Sequence, residues 1–161
     1  MKISVLQKGI LFSLLIITAS CFTFYVLNLS EKGNIQFINI GIFSTGLVWT
    51  VISSNKELPD ASVKMLFNEG FKYFMLVTLV LSVFTFIFYR LNPQILEQVL
   101  KENELIIQKL GNKTPEEIKE NNTKIADIFM PMMIMFTVIR YLLLGSISTL
   151  CMAFFIQMRK S

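Results

Sequence analysis

Four long apolar runs, residues 9–29, 35–53, 71–89 and 141–158, alternate with polar segments along this 161-residue chain, and the only charge within them is Lys72 at the edge of the third. An α-helix needs about 20 apolar residues to cross a hydrocarbon core about 30 Å thick. A helix in the core of a soluble domain shows charges every turn or two instead. The pattern predicts an all-α integral membrane four-helix bundle, one domain over 1–161, with spans at 9–29, 35–53, 71–91 and 131–158. It also predicts an extramembrane amphipathic helical hairpin over 93–127, between spans three and four.

The segments between the runs refine this layout. Pro59 breaks the chain after span two, and residues 61–70 predict a separate interfacial helix leading into span three. Asn92-Pro93 is a helix start, with Asn as cap and Pro in the first turn. Ile95, Leu96, Val99, Leu100, Asn103, Ile106, Ile107 and Leu110 then recur at helical spacing, and Gly111 is a natural stop. Thr114-Pro115-Glu116-Glu117 reads as a capping box that starts the hairpin's second helix, on which Ile118, Ile125 and Phe129 form a narrower stripe. A hairpin of this size cannot build its own core. It must lie on the membrane, pack on the bundle or bind a partner.

Residues 128–139 are apolar or weakly polar and precede Arg140. Joined to 141–158 they make about 30 residues, roughly 45 Å of helix, more than the bilayer needs. Pro131 is expected to start or kink this segment. Met130, Met132, Met133 and Met135 give it an adaptable apolar surface, which either the hairpin covers or another protein docks on. Within the spans, Gly41, Gly46 and Gly145 are small residues of the kind that let helices approach closely. Thr78, Ser82 and Thr85 share one face of span three, their hydroxyls bonding to backbone or a neighbouring helix, or lining a polar pathway.

Composition narrows the chemistry. Hydrophobic residues make up 53% and charged residues 16%, with mean hydropathy +0.60. The net charge of +4 and pI near 9.1 fit contact with anionic lipid head groups. No basic cluster is interleaved with aromatics, which argues against nucleic acid. The chain has no histidine, which removes His-based acid–base catalysis, His metal ligands and Ser-His-Asp triads. Cys21 and Cys151 fall at different depths of their spans, so a disulfide is not expected. Thr18-Ala19-Ser20-Cys21 faintly resembles a cleavage site, but the apolar run continues through Leu27, longer than a cleaved signal segment. A retained first span is expected. Basic residues close to span ends are richer on the side of the termini, which places both termini in the cytoplasm.

Arg140 stands between two apolar segments. It can snorkel to head groups, or, if buried, pair with Glu31 at the end of span one. No Asp or Glu lies within a span, which counts against a proton- or ion-driven transporter. No Walker loop, GxGxxG, GxSxG, CxxC or HExxH motif is present, so no catalytic, cofactor or metal residues are expected.

Three stretches look like one family's pattern: Phe67-Asn68-Glu69-Gly70-Phe71-Lys72, the tyrosine-bearing end of span three followed by Asn92-Pro93-Gln94, and Gly145-Ser146-Ile147-Ser148-Thr149-Leu150 with the basic tail Arg159-Lys160. In these and in its length the chain resembles the uncharacterised four-span bacterial membrane protein family catalogued as domain of unknown function 4199. That family has no established activity, so the resemblance implies a shared layout and no chemistry.

The expected role is a non-enzymatic accessory subunit or scaffold of an inner-membrane assembly. Ile95, Val99, Ile106, Met132 and Met135 are its candidate contacts, together with Arg140 and Glu31. The expected partners are the lipid bilayer and other membrane proteins, or a second copy of this chain. The alternative is a small dimeric transporter or lipid-handling protein built on the Thr78/Ser82/Thr85 face and Arg140.

Overall fold

The computed structural model describes residues 3–27, 34–58, 60–110 and 114–159. It contains α1 (Val5–Tyr25), α2 (Asn34–Glu57), α3 (Val63–Leu91), α4 (Gln94–Leu110) and α5 (Pro115–Met158), with no strand among the described residues. Four of these, α1, α2 over Gln36–Glu57, α3 and α5, are long and apolar enough to cross a membrane. They are the helices of a membrane protein.

Two expected boundaries change. The interfacial helix over 61–70 is not a separate element, because α3 runs without interruption from Val63. Likewise the second helix of the predicted hairpin and the fourth span are one helix of 44 residues, with Pro131 inside it. Proline in a helix interior loses one backbone donor and crowds the carbonyl four residues back, but Met130 and Met132 beside it are good helix formers, and here it neither starts nor ends the helix. The start at Thr114 is as expected: its Oγ1 accepts from the Glu117 amide at 3.3 Å, and the Glu117 carboxylate accepts from the Thr114 amide at 2.7 Å. The same reciprocal cap opens α1 through Ser4 and Gln7, an N-terminal signature that sequence reading passed over.

The chain divides into two compact units. The first comprises Met1–Leu81 with Val138–Ser161. Its core joins Phe12 and Ile16 of α1, Phe43 and Leu47 of α2, Tyr73, Phe74, Val77 and Leu81 of α3, and Tyr141 of α5. A second cluster, Val51, Ala61, Leu66 and Ala153, closes one end of this unit. Leu6, Ile10, Leu14, Leu79, Leu143 and Ile147 point outward and are exposed, as lipid-facing positions do.

Lipid is as apolar as leucine, so helices in a bilayer cohere through close packing rather than through removal of apolar surface from water. Two glycines show this directly. A Cβ on Gly46 would collide with the Tyr73 hydroxyl and the Phe12 ring, and one on Gly145 would lie 2.5 Å from Phe74 Cγ. Gly41 does not make a close approach: a Cβ there would meet nothing within 4 Å. Several hydroxyls inside the helices are satisfied locally. Ser13, Thr45, Thr50, Thr78 and Thr149 each donate to the carbonyl four residues back, at 2.6–2.8 Å, so each of these five hydroxyls has a partner in an apolar setting.

The second unit is Ser82–Thr137. Here α3 ends where Asn92, buried, donates through Nδ2 to the Phe88 carbonyl at 2.8 Å. The Asn92 carbonyl then accepts the Ile95 amide at 3.1 Å and turns the chain into α4. Tyr89 meets Phe129 edge-on with ring centroids 5.4 Å apart, and Asn103 Nδ2 donates to Asn122 Oδ1 at 2.8 Å.

Candidate functional site

In the second unit, α4 divides its apolar residues between two faces. Leu96, Leu100, Asn103 and Ile107 recur at i, i+4, i+7 and i+11 and form the covered side, with Ile107 buried and the other three half-buried. Ile95, Val99 and Ile106 lie about 60–100° around the helix from them. Val99 is 37% exposed and Ile106 59%, with Leu105 beside them at 56%, while Ile95 is half-buried. Two positions with the same side chain, Ile106 and Ile107, therefore do opposite things. Sequence periodicity put both on one stripe, because a stripe that wide cannot be divided without knowing which part is covered.

The methionine surface is mixed. Met132 is half-buried and Met135 is 50% exposed. Thr137 donates to the Met133 carbonyl at 3.0 Å and lies 3.2 Å from the Thr85 hydroxyl. Since the Thr137 proton is taken, Thr85 is the donor of that pair. Of the expected hydroxyl face, Ser82 and Thr85 belong to this unit, whereas Thr78 belongs to the first unit and bonds back to Phe74.

Arg140, in the first unit, is half-buried. Glu31, its expected partner, lies outside the described residues. Cys21 and Cys151 are both free thiols.

The first unit also holds a buried charge. Lys8, on the first turns of α1, is 5% exposed. Its ammonium donates to the Ser53 hydroxyl of α2 and lies 5.2 Å from the centre of the Trp49 ring. Ser53 in turn donates to the Thr50 carbonyl at 3.0 Å, so the hydroxyl is polarised by one group and fixed by another. An ammonium over the face of an indole is attracted by the ring quadrupole, an effect that grows as water is removed. Near this end, between α2 and α5, a groove of about 710 Å³ is lined by Ile52, Asn55, Cys151, Met152, Phe155, Ile156 and Arg159.

Among the described residues no group of three or more His, Cys, Asp or Glu side chains is placed to hold a metal ion. The arrangement offers an exposed apolar helix face in one unit, and in the other a groove with a cation at its end.

No curated protein and no solved structure matches this chain. A family model described as protein of unknown function (DUF4199) matches residues 7–158, nearly the whole length. With its four apolar helices and the resemblance carried by Phe67–Lys72, Asn92-Pro93-Gln94 and Gly145–Leu150, the chain belongs to the DUF4199 family.

Proposed function

We propose that this is a multi-pass protein of the bacterial inner membrane, termini in the cytoplasm, that serves as a non-enzymatic accessory subunit or scaffold. It docks another membrane protein through the outer face of α4. The observation that carries the reading is the exposure of Val99, Leu105 and Ile106 on a helix that is not among the four apolar enough to cross a membrane. On a spanning helix, lipid would account for such residues. On α4, Val99 and Ile106 stand i, i+7 apart with Ile95 one turn before them, the spacing used by helices that lay an apolar face into a groove, and Leu105 adds apolar surface further round the helix. Glu97, Lys101, Glu102, Glu104 and Lys109 give the helix a net negative balance, which disfavours adhesion to an anionic lipid surface and favours a protein partner. The reading is supported on the other side of α4 by the Asn103–Asn122 hydrogen bond to the first part of α5 and by the burial of Ile107.

The test is purification of the full chain from native membranes in a mild detergent, beside the Val99→Lys/Ile106→Lys variant. A protein retained in fixed proportion by the wild type and lost by the variant, at unchanged melting temperature, is the expected result. The same set of proteins on both, or none in fixed proportion on the wild type, overturns the reading.

A further inference from the structure

We propose that the groove between α2 and the C-terminal part of α5 holds one anionic phospholipid, its head group against Arg159 and an acyl chain along Ile52, Met152, Phe155 and Ile156. The inference is independent of α4 and of the docking reading.

The groove is built rather than incidental. Its volume, about 710 Å³, falls within the roughly 300–1,000 Å³ of small-molecule sites. Met152 and Ile156 pack onto the Val51/Ala61/Leu66/Ala153 cluster and form a supported floor. Ile52 and Phe155, 41% and 62% exposed, stand as walls. Cys151 to Arg159 covers about 12 Å of helix, so the apolar part of the groove runs along the membrane-crossing segment and ends in a cation. That order, apolar length and then positive charge, matches an anionic amphiphile seated parallel to the helices.

Charge argues for the head group. Among the described residues no carboxylate forms an ion pair with Arg159. At this end of the unit Lys8, Lys56, Lys64, Lys72 and Arg159 outnumber Glu57, Asp60 and Glu69, and Glu69 is already engaged by Lys72 at 2.7 Å. A guanidinium can bond a phosphate oxygen pair in bidentate fashion. It then does in the groove what scattered lysines cannot: it fixes one lipid in one orientation.

Native mass spectrometry of the full chain, released from vesicles of equal parts phosphatidylglycerol and phosphatidylcholine, tests this. The wild type is expected to retain one phosphatidylglycerol in preference to phosphatidylcholine. Arg159→Gln lowers that preference about fivefold, the effect of one basic residue at an anionic surface. Arg159→Lys keeps most of it, and Lys56→Gln, at the same end but outside the groove, keeps all of it. A second readout uses Cys151 as a reporter in the Cys21→Ser protein: its alkylation by a maleimide slows in phosphatidylglycerol vesicles relative to phosphatidylcholine vesicles. Equal retention of the two lipids, an Arg159→Gln protein that discriminates like wild type, or equal alkylation in the two vesicles overturns the proposal. So does a Cys151–Cys151 cross-link between copies that excludes lipid.

Discussion

The phenol of Tyr73 on α3 occupies the space that a side chain on Gly46 of α2 would need. One turn back, at 3.1 Å, the Tyr73 hydroxyl donates to the Phe43 carbonyl. The absence of a side chain at one residue thus lets the other bring a polar group into an apolar interface and satisfy it there. Tyr73 is held by edge contacts with Phe12 and a tilted contact with Phe43, so it cannot swing aside. Gly46→Ala is expected to destabilise the unit by about 1–3 kcal/mol, the usual cost of overpacking, despite a helix-propensity gain of about 1 kcal/mol. Gly41→Ala, with open space around it, keeps that gain. Thermal melting in detergent should rank Gly41→Ala at or above wild type and Gly46→Ala below. Adding Tyr73→Phe to Gly46→Ala should cost less than the sum of the two single changes.

Lys8 makes a different kind of contact, one that a single reporter can read. Trp49 is the only tryptophan in the chain, and the Lys8 ammonium lies over its ring. Lys8→Met should shift the emission maximum of Trp49, whereas Lys64→Met, an exposed charge at the same end, should not. The stability cost of Lys8→Met should stay small, because Ser53 still bonds to the Thr50 carbonyl. Trp49→Ala should cost more. It leaves the ammonium buried without the ring, removing an attraction worth about 2 kcal/mol when desolvated. Identical spectra for wild type and Lys8→Met would show that the charge does not sit where the geometry puts it.

Much of this was legible before the structure, and the exceptions share a cause. The four apolar helices and the Thr114 cap follow from local pattern, because length and capping depend on residues within a turn of one another. Gly46 and Gly145 were read only as small residues suited to close helix approach, with no partner named for either. Gly70, whose missing Cβ makes room for Thr149, was read only as the end of an interfacial helix. Gly41 had the same local signature as Gly46 and faces nothing. Which glycine meets a neighbour depends on helix rotation, which a nearly uniform apolar helix does not encode. Lys8 was hidden for a related reason. A lysine near a helix start reads as a surface charge, and its burial depends on Trp49 and Ser53, more than 40 residues away.

Asn103 and Asn122 allow a direct measurement inside the second unit. Their 2.8 Å hydrogen bond joins α4 to the first part of α5. A double-mutant cycle of Asn103→Ala and Asn122→Ala should return a coupling of about 1 kcal/mol, typical of a neutral side-chain hydrogen bond. Most of the cost of either single change should come from the amide left half-buried without its partner. Simple addition of the two effects would mean that the contact contributes nothing to holding the helices together.

Ile106 and Ile107 give the cleanest comparison in the molecule, since they are the same residue type in consecutive helical positions. Helix propensity, side-chain entropy and composition cancel between Ile106→Ala and Ile107→Ala, leaving only the surroundings of each side chain. Ile107 is 9% exposed and Ile106 59%. Ile107→Ala should therefore destabilise the second unit by about 2 kcal/mol or more, and Ile106→Ala by no more than about 0.5 kcal/mol. Amide hydrogen exchange in α4 reads the difference: faster exchange across the helix for Ile107→Ala and an unchanged pattern for Ile106→Ala. Equal acceleration by both would mean that Ile106 is also part of a packed surface in the isolated chain, leaving α4 without a free apolar face for a partner. Unchanged exchange in Ile106→Ala, combined with a weakened association in membranes, would separate the two faces into one that stabilises the unit and one that binds.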